Sequence, residues 1–156
     1  MKKLFIVLFL IAFITGCVST QIRETPQNYK KSIIIQSSKE KIWPIVVAEV
    51  TNNYPIQVIE KDSGLIQTQI ITIDAGYNNR LMNHWCYAPK GFLYTWNGLK
   101  SYLQINVNEI EPNKTQITIN AHYEAFEDIL LKQWLKCESN GFIENQILTN
   151  IERNKL

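Results

Sequence analysis

Between residues 92 and 124 the chain alternates between apolar and polar side chains over long stretches. Leu103, Ile105 and Val107 alternate with Gln104, Asn106 and Asn108. Beyond Glu111-Pro112-Asn113-Lys114, the residues Ile117, Ile119, Ala121 and Tyr123 alternate with Gln116, Thr118 and Asn120. A period of two with one dry side and one wet side predicts antiparallel strands covered on one face only. The dipeptide Asn97-Gly98 predicts a turn of type I′ between two runs of this region, because both of its residues tolerate positive φ. Something must then cover the dry face.

The rest of the chain supplies candidates for that cover. "KSIIIQ" (31–36) reads as a first strand. "SSKEKIWPIVVAEVTNN" (37–53) places Ile42, Trp43, Val46, Val47 and Val50 at helical spacing, with Ser37 and Glu40 in the positions of a capping box. Pro44 conflicts with that helix, since its ring removes a hydrogen bond and predicts a kink in the first turns, unless the helix starts near Trp43 with Pro44 at its favoured first position. "YPIQVIEKDSGLIQTQIITI" (54–73) reads as a hairpin around Lys61-Asp62-Ser63-Gly64, where Gly64 can supply positive φ. Residues 74–91 show no period and read as a long loop. "AFEDILLKQWLKC" (125–137) reads as a partly helical joint. "SNGFIENQILTNIERNK" (139–155) puts Phe142, Ile143, Ile147, Leu148 and Ile151 on one stripe, capped by Ser139 or Asn140. The order predicts an α+β domain: a curved antiparallel sheet of about five to six strands gripping a C-terminal helix, with one helix after the first strand.

The amino terminus carries a different pattern. Met1-Lys2-Lys3 precedes an apolar run from Leu4 to Ile14, about eleven residues where a bilayer span needs about twenty. A basic start and a short apolar core fit an export signal. The run closes on Ile14-Thr15-Gly16-Cys17, which matches a bacterial lipobox: apolar, small, glycine or alanine, then cysteine. That chemistry needs the cysteine, because its sulfur receives the diacylglycerol before cleavage ahead of it. Lipidation is therefore expected at Cys17, and two or three acyl chains hold a protein firmly at roughly 0.8 kcal/mol per buried methylene. Residues 1–16 are then the signal, 17–31 the lipidated terminus and a polar tether, and 32–156 the folded domain.

Charge and chemistry narrow the function classes. The full chain carries a formal +2, and loss of Lys2 and Lys3 brings the mature chain to zero. A neutral domain offers no electrostatic case for nucleic acid. Once Cys17 is acylated, Cys86 and Cys137 remain. In an exported compartment they either form one disulfide or stay as two buried thiols. His84 and Cys86 could offer two metal ligands, with His122 and Cys137 as possible others, but their spacing lacks the tight pairs that zinc sites use. No metal or other cofactor is expected. A Cys86 nucleophile with a histidine base has no supporting motif, and Glu124, Glu127 and Asp128 read as the solvated side of a linker. Aromatics crowd the long loop: Tyr77, Trp85, Tyr87, Tyr94 and Trp96 read either as packing at one end of the sheet or as a partner surface. Trp43 reads as core, and Trp134 as packing beside Cys137 or the last helix.

One resemblance adds to these readings. In "IWPIVVAEVTNNYPIQVIEKDSGLIQTQI" (42–70), a helix beginning near Trp43 leads to the run Ile56-Gln57-Val58-Ile59. Asp62 and Gly64 then turn the chain into the next strand. This resembles a helix-grip half-domain of the BamC (NlpB/DapX) lipoproteins. The resemblance spans roughly residues 32–153, with about thirty carrying the motif. Members of that family look like two such domains behind a long disordered segment, whereas this chain has one domain and a short tether. Their partner contacts therefore do not carry over. What the resemblance implies is a non-enzymatic, membrane-anchored periplasmic domain. The first expectation for its role is a protein-binding adaptor or accessory subunit of an envelope complex, in outer-membrane assembly or in a secretion or conjugation apparatus. Outer membrane is the expected destination, with inner-membrane anchoring the lesser alternative, because Val18 is not the aspartate that retains lipoproteins there. The competing expectations are a carrier of an apolar ligand between sheet and C-terminal helix, and an enzyme using His84 or Cys86.

Overall fold

The computed structural model describes residues 29–74, 84–87 and 96–155. These residues form an α+β arrangement of two helices and one large antiparallel sheet. The strands are β1 (Ser32–Ile35), β2 (Ile56–Glu60), β3 (Leu65–Thr68), β4 (Ile71–Asp74), β5 (Cys86–Tyr87), β6 (Trp96–Glu111), β7 (Lys114–Glu127) and β8 (Gln133–Ser139). Helix α1 covers Lys39–Thr51 and α2 covers Phe142–Asn154. No helix among the described residues is long and apolar enough to cross a membrane.

The long hairpin β6–β7 is the spine, and shorter strands line each of its outer edges. Its turn uses Pro112 and Asn113, the latter at φ 59°, a left-handed conformation that asparagine tolerates better than most residues. On one edge β3 and β4 pair in succession with β6. The register runs Gln67↔Gln104 and then Ile71↔Ser101, so one extra residue is inserted at Gln69-Ile70. Such a bulge bends and twists the strand locally. Thr68 repairs the interrupted ladder, because its buried Oγ1 accepts a hydrogen bond from the Leu103 amide at 2.9 Å. On the other edge β1 pairs with the start of β7 and β8 pairs with its end.

Alternation decides what covers each face. Leu103, Ile105, Val107, Ile117 and Ile119 point to one side and are buried there against both helices. α1 contributes Ile42, Trp43, Val46 and Val50, and α2 contributes Ile143, Ile147, Leu148 and Ile151. At the other end of the same face, Trp96, Leu99, Tyr123 and Ala125 form a second cluster with Cys86 and Cys137. Here the cover is the Cys86–Tyr87 strand, held to β8 by backbone pairing and by a Cys86–Cys137 disulfide with Cα atoms 5.7 Å apart.

Several local expectations are corrected. Asn97-Gly98 is not a hairpin turn: both residues lie inside β6, at a register shift opposite Phe126. The absence of a Cβ at Gly98 leaves room for the Trp134 indole that packs onto it. Residues 125–137 contain no helix but the end of β7, a short loop and β8. Helix α1 begins one residue later than the capping-box pattern implies, with Ser38 at its N-cap and no side-chain cap bond. Pro44 lies within α1 on its exposed side. Phe142 stands half exposed off the buried stripe of α2.

Candidate functional site: the uncovered face of the sheet

The face of the sheet opposite the helices, which no element among the described residues covers, carries the polar half of the alternation. Because β6 and β7 are in register, its residues fall into rows across the strands. Gln104 stands opposite Asn120, and Tyr102 opposite His122. Lys100 stands opposite Glu124, which in turn stands opposite Lys136, giving alternating charges over three strands. Gly98, Phe126 and Trp134 form the last row.

These rows are ordered by ring contacts. The Tyr102 and His122 rings lie parallel, 4.5 Å apart with 5° between their planes. Phe126 and Trp134 meet at 5.2 Å, tilted by 52°. Lys100 Nζ lies 4.0 Å above the Trp134 ring, a cation–π contact that aligns the lysine stem along the aromatic surface. The face thus presents flat aromatic rings held by neighbours, with cations and carboxylates between them.

A groove of about 1010 Å³ crosses this face. It starts at Ile70 on the bulge, passes Tyr102, Lys100, His122, Glu124 and Lys136, and turns around the sheet edge where β1 gives way to β8. At that corner it meets Tyr29, Tyr123, Ser139 and Glu144.

The corner is built around the start of α2. Gly141 is the N-cap at φ +83°, and Tyr29 packs so closely that a Cβ on Gly141 would lie 2.0 Å from its Cγ. Only glycine satisfies both conditions. Asn140 Oδ1 accepts from the Phe142 amide at 3.0 Å. The Ser139 hydroxyl accepts from the Gly141 amide at 3.1 Å and donates to the buried Glu144 carboxylate at 2.9 Å. Glu144 lies in the first turn of α2, where the helix dipole favours a negative charge. The two phenols nearby respond to that charge and to burial. Burial first, and then the field of Glu144, push Tyr123 far above the ordinary tyrosine range. Burial, then Glu49 and Glu144, raise Tyr54 in the same direction.

The residues singled out from sequence fall in several places. Cys17, Tyr77 and Tyr94 lie outside the described residues. Trp96 is only 6% exposed and packs within the second core cluster. Trp85 is half-buried between the two core clusters, and Tyr87 is half-buried in β5 opposite Glu138. His84 packs on Phe142 at 4.2 Å on the helix side, whereas His122 lies on the uncovered face. The four residues considered as a metal set therefore do not converge, and Cys86 is bonded to Cys137 instead of free as a nucleophile. Glu127 is not solvated: it is fully buried and accepts from backbone amides of the following loop. Trp134 packs on the uncovered face, away from Cys137 and α2.

Sequence reasoning missed the Tyr102–His122 and Phe126–Trp134 pairs. The signal was present, because the polar positions of the alternation carry rings at 102, 122 and 126. Neither protein-family models nor curated proteins give a match to this chain.

Proposed function

We propose that this chain is a lipid-anchored periplasmic protein that acts as a non-enzymatic adaptor or accessory subunit of an envelope complex, with the uncovered sheet face as its docking surface. In this reading residues 1–16 are removed, Cys17 carries the acyl chains, and the tether to residue 31 leads into a single helix-grip-like domain related to the BamC-type half-domains. The outer membrane is the proposed destination, on the ground that Val18 follows the cysteine. Support for the anchor comes from the basic start, the short apolar run and Ile14-Thr15-Gly16-Cys17.

The observation that carries the docking role is the composition of the uncovered face. Ring pairs Tyr102–His122 and Phe126–Trp134 flank the row Lys100–Glu124–Lys136. Rigid aromatics supply contact area at low entropic cost, and mixed charges fix the register of a polypeptide partner. The space beneath α2 that an apolar ligand would need is filled by Ile105, Ile117, Ile119, Ile147 and Ile151. That favours docking on the surface over carriage inside.

The test is site-specific photocrosslinking in intact cells from positions 102, 122 and 134, with Asn52 on the far side as control. One reproducible protein adduct from the face positions, missing from the control, is expected. Recovery of the uncrosslinked chain from every position would end the adaptor reading.

A further inference from the structure

The loop between β7 and β8 exposes three consecutive large apolar side chains, Ile129, Leu130 and Leu131, at 56, 55 and 44%. Exposed apolar residues scattered singly are ordinary, but three in a row at a loop tip are not. Their backbone is as unusual as their side chains. The buried carboxylate of Glu127 accepts from the Ile129 amide at 2.9 Å, from the Leu130 amide at 3.0 Å and from the Leu131 amide. Asp128 is turned aside, with its carboxylate accepting from Asn97 Nδ2 at 3.1 Å. The loop ends at Lys132, exposed and at φ 48°.

A loop that faces water has no need to satisfy successive amides internally, since water does it. A loop that enters hydrocarbon must, because an unsatisfied N–H there costs several kcal/mol. The Glu127 carboxylate removes that obstacle for all three residues of the tip. Lys132 beside the tip can meet a lipid phosphate once the apolar side chains are buried.

We propose that Ile129-Leu130-Leu131 inserts into the surface of the bilayer to which the chain is tethered. The inference rests on the lipid-anchor reading for its source of membrane, and the covalent geometry permits it. The tether enters the fold at Tyr29, against Gly141 next to the end of β8, while the tip precedes the start of β8. Seven strand residues separate the two points by roughly 20 Å. Residues 18–28 span at most about 40 Å, so tip and acyl chains can occupy one leaflet together. A second weak contact beside an acyl anchor orients a domain on its membrane. Here the contact would turn the β7–β8 end of the uncovered face toward the lipid.

The test uses the full chain purified with its native amino terminus and mixed with phosphatidylcholine and phosphatidylglycerol vesicles whose acyl chains are brominated. L130W, with I129W as a second probe, reports insertion through quenching of the added tryptophan emission relative to the wild-type chain. Flotation of an I129S/L130S/L131S chain with the same vesicles, which keeps the amino terminus but lacks the apolar tip, reports the anchor separately. The proposal expects a blue shift and loss of most of the added emission. Quenching without flotation of the serine chain would still support the tip and count against the lipid on Cys17. Flotation of the serine chain without quenching in either tryptophan variant overturns the tip while leaving the anchor standing, and absence of both overturns the two together.

Discussion

Gly98 lies beneath the indole of Trp134: a Cβ built on the glycine would stand 3.0 Å from Cη2 and 3.6 Å from Cζ3. Two effects oppose each other at this position. A β-branched residue removes the entropic cost of glycine in a strand, worth about 0.5–1 kcal/mol. Overpacking against a ring already held by Phe126 and Lys100 costs about 1–3 kcal/mol. The second is the larger, so G98V is expected to lower the urea midpoint of the full chain and to shift Trp134 fluorescence. A raised midpoint would mean that the indole yields freely.

The same glycine shows what the sequence could and could not reveal. The alternation in 99–123 reports a half-covered sheet directly, because burial on one face is written into every second residue. The stripe Ile143, Ile147, Leu148 and Ile151 reports α2 for the same reason. Asn97-Gly98, however, uses the residues of a turn to admit a ring from a strand far along the chain. No local pattern distinguishes a glycine that bends the backbone from one that makes room for Trp134. Glu127 misleads in a similar way. An acidic residue before a loop reads as solvated, and only tertiary structure turns it into the acceptor for three amides.

Gly64 has the opposite character, for its turn was legible in Lys61-Asp62-Ser63-Gly64. It sits at φ +74°, and a Cβ there would lie 2.1 Å from the backbone oxygen of Val107. Its own carbonyl accepts from the Val107 amide at 2.8 Å, which fixes the hairpin to β6. A left-handed conformation costs a non-glycine residue about 1–3 kcal/mol, and backbone cannot move aside as a side chain can. G64A is therefore expected to destabilise by at least about 2 kcal/mol, measured by equilibrium unfolding. A change under a few tenths would contradict the packing of β2–β3 on β6.

The Cys86–Cys137 bond closes a loop with a sequence separation of 51. In the chain-entropy model such a loop contributes about 4 kcal/mol. Paired C86A and C137A substitutions should lower unfolding free energy by that order, and a reductant should then have no further effect. The loss should fall on the second core cluster, read by faster hydrogen exchange in β8 and around Trp96 than in the helices. Uniform loosening would argue that β5 does not act as a local cover.

Tyr123 and Tyr54 bind their protons more tightly in the folded chain than in the unfolded chain. The contribution of each is fully present below the ordinary tyrosine value near 10. Above about pH 10 the unfolded phenols ionise first, so stability falls as pH rises toward the raised folded values. Phenolate absorbance should show Tyr123 ionising only together with alkaline unfolding, and Tyr54 ionising later than an exposed tyrosine. Y123F should flatten the alkaline limb of the stability profile. If Tyr123 titrates freely in the folded protein, the burial of its phenol beside Glu144 is wrong.

The account depends most on the sulfur of Cys17, which would bind this domain to a membrane and give its uncovered face a fixed neighbourhood. Metabolic labelling with an alkyne fatty acid, read on the mature chain by mass spectrometry, tests this directly. The account expects label on an amino-terminal Cys17, with C17S unlabelled and left as the uncleaved precursor. An unlabelled wild-type chain, or a C17S chain processed and located like the wild type, would contradict it.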